Sequence, residues 1–270
     1  MPTRSFSPGP ATLFVAHPGH ELCLHAWLER SRAEVFVLTD GSGGTGRSRL
    51  DSTTRVIKQC GGETGSIYGR FRDADVYRIV IDRDVQPFAA LVHELAGALV
   101  RRGTSCFVAD PWEMYNPTHD LCRVIADLAA IIAVRATAWR IDGFDYSLTA
   151  AERRISPAVT IPLDDGALCR KLETAGAYTE MREEVAAFIE RYGVGALRRE
   201  HLYCARPVAA CVETAPAKPF YEVRGEQRVA AGAYATVLRY REHLAPFMTA
   251  LAHAVGIPDA FTAASPGRLR

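Results

Sequence analysis

The chain has 270 residues, 48% of them hydrophobic and 23% charged, with 32 basic and 31 acidic side chains and a formal net charge of +1. That length suits one sizeable α/β domain, and the composition excludes wholesale disorder. The balanced charge offers no electrostatic reason to expect nucleic acid or an anionic membrane as a partner.

Seven cysteines are scattered without a C-x-x-C pair, the usage of a reduced, cytoplasmic protein without a disulfide framework. No apolar run of signal-peptide length follows Met1-Pro2-Thr3-Arg4. The longest apolar stretch, Leu128 to Val134, is about a third of the roughly 20 residues a membrane span needs. The expectation is a soluble protein with no membrane span, acting on a small molecule; a homo-oligomer is compatible with the composition.

Thr12-Leu13-Phe14-Val15-Ala16 and Glu34-Val35-Phe36-Val37-Leu38-Thr39 are runs of strand length and composition. Between them Leu22, Leu24, Trp27 and Leu28 recur at helical spacing, which predicts a βαβ unit. A glycine-rich loop, Gly41 to Gly46, leads to a helix near 50–60, a strand near Ile67-Tyr68 and a helix across Phe88 to Leu99. Ser105 to Ala109 is the next strand, and Leu121, Ile125, Leu128 and Ile132 mark the next helix. This alternation predicts a Rossmann-like, open, mostly parallel sheet with helices on both faces. Further on, residues 165–191 and 230–255 read as two long helices, separated by a strand at 201–204 and the proline-rich stretch 214–219. The whole reads as a single domain, with its core at about 11–205, a C-terminal helical cap at about 206–262 and a loose tail from Thr262. Arginine pairs such as Arg153-Arg154 and Arg198-Arg199 read as solvated helix faces.

The chemistry-bearing segment is His17-Pro18-Gly19-His20-Glu21, directly after the first strand. A second follows a later strand: Asn116-Pro117-Thr118-His119-Asp120. Strand ends in α/β sheets are where ligand sites are assembled. Other readings fail on spacing. His20 and His25 are five apart, whereas the H-E-x-x-H pair needs four. Neither a P-loop lysine nor G-x-G-x-x-G nor G-x-S-x-G is present in its required context. Imidazole is a common zinc ligand, and three protein ligands with an open position suit a catalytic ion. His17, His20 and His119 would supply them, with Glu21, Asp40, Asp110 and Asp120 near enough in sequence to orient rings or move protons. Ordinary loop histidines are the competing reading of the spacing alone.

The pair of segments resembles the two signature motifs of the PIG-L/LmbE-like family of zinc-dependent N-deacetylases, which act on amino-sugar conjugates. Ala16-His17-Pro18-Gly19-His20-Glu21 is similar to the family's A-H-P-D-D-E, and Asn116-Pro117-Thr118-His119 to its H-P-D-H. The likeness covers residues 11–135 and continues loosely to about 205. It implies Zn2+, or another divalent transition ion, held by His17, His20 and His119, with an N-acylated amino-sugar or glycoconjugate as substrate. His20 stands where the family has a ligating aspartate. Gly19 stands where it has the aspartate that acts as general base, and Asn116 where a histidine helps to stabilise the oxyanion. An amide can still donate there. Glu21, Asp40, Glu113 and Asp120 are then the candidates for a relocated base. Asp73 and an arginine among Arg47, Arg49 and Arg55 are expected to hold sugar hydroxyls, with Trp112 and Tyr115 as walls. Three readings stay open: a metal-dependent deacetylase, a relative with altered or lost chemistry that binds metal or sugar, and a metal-free α/β protein.

Overall fold

The computed structural model describes residues 9–43, 46–148, 156–212 and 218–261. Expectations about Gly44 and Thr45, the Arg153-Arg154 pair, residues 214–217 and the tail 262–270 lie outside the described residues.

The strands are β1 (Ala11–Val15), β2 (Glu34–Thr39), β3 (Glu63–Phe71), β4 (Cys106–Ala109), β5 (Asp142–Asp145), β6 (Val159–Pro162) and β7 (Arg199–Cys204). The helices are α1 (His25–Ser31), α2 (Leu50–Gln59), α3 (Asp73–Asp82), α4 (Gln86–Arg102) and α5 (Pro117–Thr137), followed by α6 (Asp165–Ala177), α7 (Arg182–Tyr192), α8 (Val208–Val212), α9 (Phe220–Ala230) and α10 (Ala245–Ala254). The sheet runs β3-β2-β1-β4-β5-β7-β6. Its first five strands in that order are parallel, and β7 runs antiparallel to both β5 and β6. This is the expected Rossmann-like α/β sheet. Its order reverses between β1 and β4, which opens a crevice at their carboxyl ends.

All five residues of β1 are buried, because helices cover both faces of a parallel sheet. The pleat then sends alternate side chains to opposite cores. Leu13 and Val15 pack with Trp27, Val35 and Val37 on one side. Phe14 packs with Phe36, Phe88 and Phe107 on the other. That second core also takes in Leu244, Phe247 and Leu251, so α10 is packed against α4 and α5. In β3, a Cβ on Gly65 would overlap the Phe36 ring. Gly65→Ala is therefore expected to cost about 1–3 kcal/mol by overpacking, read as a lower urea midpoint. An unchanged midpoint would mean that the ring swings aside freely.

Both long helices expected in the second half are broken. The 165–191 span stops at Ala177, where Tyr178 leaves helical geometry at φ −83° and ψ 83°. The Tyr178 ring is buried, with its hydroxyl 2.9 Å from Thr53 Oγ1. Docking this side chain onto α2 overrides the amphipathic pattern, and a 3-10 turn, Thr179–Met181, intervenes before α7. The 230–255 span is interrupted after Ala230 by Gly232 at φ +70°. It resumes as a π-helical turn, Tyr240–Leu244, that runs directly into α10, with Pro246 at the junction. Strands β5 and β6, at four residues each, are too short to show a periodicity. Among the described residues no helix is long and apolar enough to cross a membrane.

Candidate metal centre

Asp110, immediately after β4, is the hub of the crevice. Its Oδ2 accepts the Ala16 amide at 2.9 Å and lies 2.8 Å from His20 Nδ1, while its Oδ1 accepts the Tyr146 hydroxyl at 2.6 Å. The ends of β1 and β4 and the residue after β5 are thus tied to one carboxylate with no solvent exposure. Burial acts to raise the Asp110 pKa, but the His20 charge and these hydrogen bonds outweigh it and hold the group at about 2. An ionised carboxylate only accepts. His20 Nδ1 therefore carries a proton; burial opposes a charged ring, but the Asp110 carboxylate outweighs it and raises the His20 pKa, so a metal at Nε2 would have to displace a proton.

His17 is fixed in the same sense. Its Nδ1 lies 2.8 Å from Thr39 Oγ1 and 2.7 Å from Asp73 Oδ1. The Thr39 hydroxyl donates to the Ala16 carbonyl at 3.0 Å, so Nδ1 is the donor, and Nε2 is the ring nitrogen on the Asn116 side. Asp73 also accepts the Gly43 amide at 2.6 Å. Burial pushes the Asp73 carboxyl upward, but the His17 contact prevails and holds it at about 2. Carboxylates that orient imidazoles in this way are the usual support of metal-binding histidines.

The third ring is on α5, which starts at Pro117 because Asn116 caps it: Asn116 Oδ1 accepts the Thr118 amide at 2.9 Å. With Oδ1 committed, the Asn116 amino group is the part that faces His17 Nε2, at 3.4 Å. His119 follows within the first turn and is 7% exposed. Its Nδ1 is 3.7 Å from Glu113 Oε2, beyond hydrogen-bond reach, and has no hydrogen-bond partner among the described residues. Burial, then the charges of His20 and His17, holds its pKa well below the ordinary value. This keeps the imidazole neutral, the form that ligates.

The three ring centroids lie 5.3, 5.1 and 4.7 Å apart, packed edge to face. Donor atoms of His20, Asp110 and His119 fall within 4.8 Å of one another, a cluster able to hold a metal ion. The rings of His17 and His20 sit on the floor of a cavity of about 730 Å³, together with Asp73 and Asn116, within the usual size of a ligand pocket.

The structure places other sequence candidates elsewhere. Glu21 is fully buried, and its Oε2 accepts the Gly19 amide at 2.8 Å. It braces the turn that Gly19 makes at φ +105° and does not line the cavity. Asp40 spends its carboxylate on Ser42, accepting the amide at 3.0 Å and the hydroxyl at 2.6 Å. Arg55 is exposed on α2. Trp112 packs edge to face on Tyr240, with centroids 6.2 Å apart. Asp120 supports the preceding turn, accepting the Glu113 and Met114 amides at 2.9 and 3.0 Å, and burial raises it to about 7. None of these lines the cavity, nor does Glu113. Arg49 and Tyr115 do line it. Asp73 also lines it, but as the group that orients His17.

Two contributors escaped the sequence reading. Thr39 ends β2 beside β1, and the strand-end logic that found His17 would have found it. Met181 carries no sequence signal: it reaches the site because Tyr178 breaks the helix before it. Arg49 Nη1 lies 2.8 Å from its sulfur, and a Cβ on Gly19 would stand 3.1 Å from that atom.

No family model and no curated protein sequence matches the chain. Among solved structures, the crystal structure of the conserved protein TT1542 from Thermus thermophilus is similar over 73% of this chain and 94% of that one, at 17% identity and a TM-score of 0.49.

Proposed function

We propose that the chain is a zinc-dependent amide hydrolase that removes the N-acyl group of an amino-sugar conjugate, a divergent relative of the PIG-L/LmbE-like deacetylases. The observation that carries this reading is the convergence of three imidazole rings, two of them on the cavity floor with Nδ1 against carboxylates and the third, His119, packed behind them. His17, His20 and His119 would hold the ion. Asp110 is the poorer ligand, because both its oxygens already accept hydrogen bonds. Three imidazole nitrogen donors suit zinc, with other divalent transition ions as competitors. When bound, such an ion polarises a carbonyl and makes water more acidic.

The chain's own residues supply the rest. The Asn116 amino group, turned to the floor by its capping role, is the donor for a developing oxyanion. Among the described residues Asp73 is the one carboxylate that lines the cavity, and its contact with His17 ties it to the floor. Gly19 offers no side chain in the place of the family's base, a loss worth about 10²–10⁴-fold in rate. That absence favours a second reading, a metal- and sugar-binding protein that does not hydrolyse.

The test is release of acetate from N-acetylglucosamine conjugates by zinc-loaded protein. Slow turnover, abolished by chelation and by His119→Ala, is expected. Binding without turnover would select the second reading. Gly19→Asp alone is not expected to restore a base: the site has φ +105° and Met181 atoms 3.1–3.3 Å from the new Cβ, a strain of about 1–3 kcal/mol. Gly19→Asp with Met181→Ala removes the steric half of that barrier and is expected to outpace Gly19→Asp. Equal rates for the two variants would exclude Met181 as the obstacle.

A further inference from the structure

Away from the histidines, two helix faces form the walls of the cavity. On α9 the lining residues are Tyr221, Arg224, Gly225 and Arg228, and on α3 they are Ala74, Tyr77, Arg78 and Ile81. Each set follows i, i+3, i+4, i+7, the spacing of a single helix face. Both faces present tyrosine next to arginine.

The charges on α9 are sorted by face. Glu222 accepts from the Tyr240 amide at 2.8 Å and from Arg239 at 3.4 Å, and Glu226 accepts from Lys218 at 2.7 Å and from Arg239 at 3.0 Å. The acidic residues of this helix are thereby consumed by Arg239 and Lys218. The exposed guanidinium groups of Arg224 and Arg228, one turn apart, have no hydrogen bond or ion pair among the described residues. Arg78 is held by Asp75 at 3.0 Å on the opposite wall. Including Arg49, which Glu184 faces at 3.7 Å, four guanidinium groups among the described residues line the cavity against one carboxylate, Asp73, which His17 and Gly43 already engage, and Arg224 and Arg228 are the two without a carboxylate partner. A cavity with that balance is short of negative charge, and its ligand can provide it. The buried Tyr221 hydroxyl on the same face has no hydrogen-bond partner among the described residues.

We infer that this α3–α9 wall is a subsite for a phosphoryl group, or a comparable dianion, on the ligand whose reacting end lies over the histidines. Arginine forks match phosphate oxygens bidentately. Exposed aromatic surfaces at the rim, Tyr234 and the stacked Tyr115–Phe220 pair with centroids 4.6 Å apart, suit the flat faces of a sugar or base. The assignment deepens the hydrolase reading in naming the substrate class and rests on it for the ligand's orientation, but the anion preference itself does not require turnover.

The test is isothermal titration of the full chain with N-acetylglucosamine 1-phosphate, N-acetylglucosamine and inorganic phosphate. The sugar phosphate is expected to bind at least about tenfold more tightly than either other probe, the scale of one good charge-assisted contact. Arg224→Gln/Arg228→Gln is expected to erase that margin with metal content and melting temperature unchanged. In His119→Ala the margin is expected to persist, so loss of the metal centre and loss of the subsite are read separately. Equal affinity for neutral and phosphorylated sugar, no binding of the sugar phosphate, or a margin that survives in the double variant overturns the assignment. Inorganic phosphate binding as tightly as the sugar phosphate would mark a free-anion site and overturn the substrate subsite.

Discussion

His119→Ala is expected to reduce the metal content of the purified protein from about one divalent ion per chain to none, because a site with three protein ligands does not retain its ion on two. Elemental analysis after dialysis against zinc reads this directly. His119 is the informative choice: its Nδ1 has no competing hydrogen bond, so its removal breaks no network in the apo protein. His17→Ala would release Asp73 and Thr39, and His20→Ala would leave the buried Asp110 without its imidazole partner. Asp110→Asn is expected to weaken binding about 10–100-fold while keeping the shape of the site, as loss of an orienting carboxylate does. Thermal denaturation provides an independent reading. Zinc at 100 times its Kd should stabilise the wild type by about 2.7 kcal/mol and leave His119→Ala unmoved. No metal in the wild type, and no zinc-dependent shift, would remove the metal centre and every reading built on it.

Glu200→Ala is expected to destabilise the fold by about 3–5 kcal/mol, the cost of leaving a buried charge without its partner. Glu200 lies on β7 and is 3% exposed. Its Oε1 accepts the Ala26 amide at 2.9 Å and the Lys171 ammonium at 2.8 Å, and its Oε2 accepts the Trp27 amide at 2.8 Å. The first amides of α1, which no local side chain caps, are thus satisfied by a carboxylate from far along the chain. Its removal orphans two buried N–H groups and strands Lys171. Glu200→Gln keeps an acceptor and loses the charge, and is expected to fall between wild type and alanine. Lys171→Met in the Glu200→Ala background is expected to recover part of the loss, because it removes the stranded charge. A urea midpoint for Glu200→Ala within about 1 kcal/mol of wild type would show that water replaces the carboxylate readily.

The first half of the fold is legible in the sequence because buried parallel strands are continuous apolar runs: β1, β2 and β4 announce themselves by composition. The histidines are legible for a related reason, since they directly follow such runs or open the next helix. The orienting carboxylates are less so. Glu21 and Asp40, neighbours in sequence, turn into the turns that they brace, while Asp73 and Asp110 reach the rings from the ends of other strands. Nothing local distinguishes the two pairs, because the outcome depends on which backbone amides each loop leaves unsatisfied. The break at Tyr178 is likewise a tertiary event: a buried ring docked on α2 outweighs the helical periodicity of 165–191, and only that break delivers Met181 to the cavity.

The cavity's floor comes from the strand ends of the first 120 residues, and its outer wall from α9, about a hundred residues later in the chain. On the proposed assignment, the α9 half of the ligand wall is encoded apart from the imidazoles, whereas the α3 half starts at Asp73, beside His17. Substitutions along the inner face of α9 would then retune which ligand is held without touching the imidazoles.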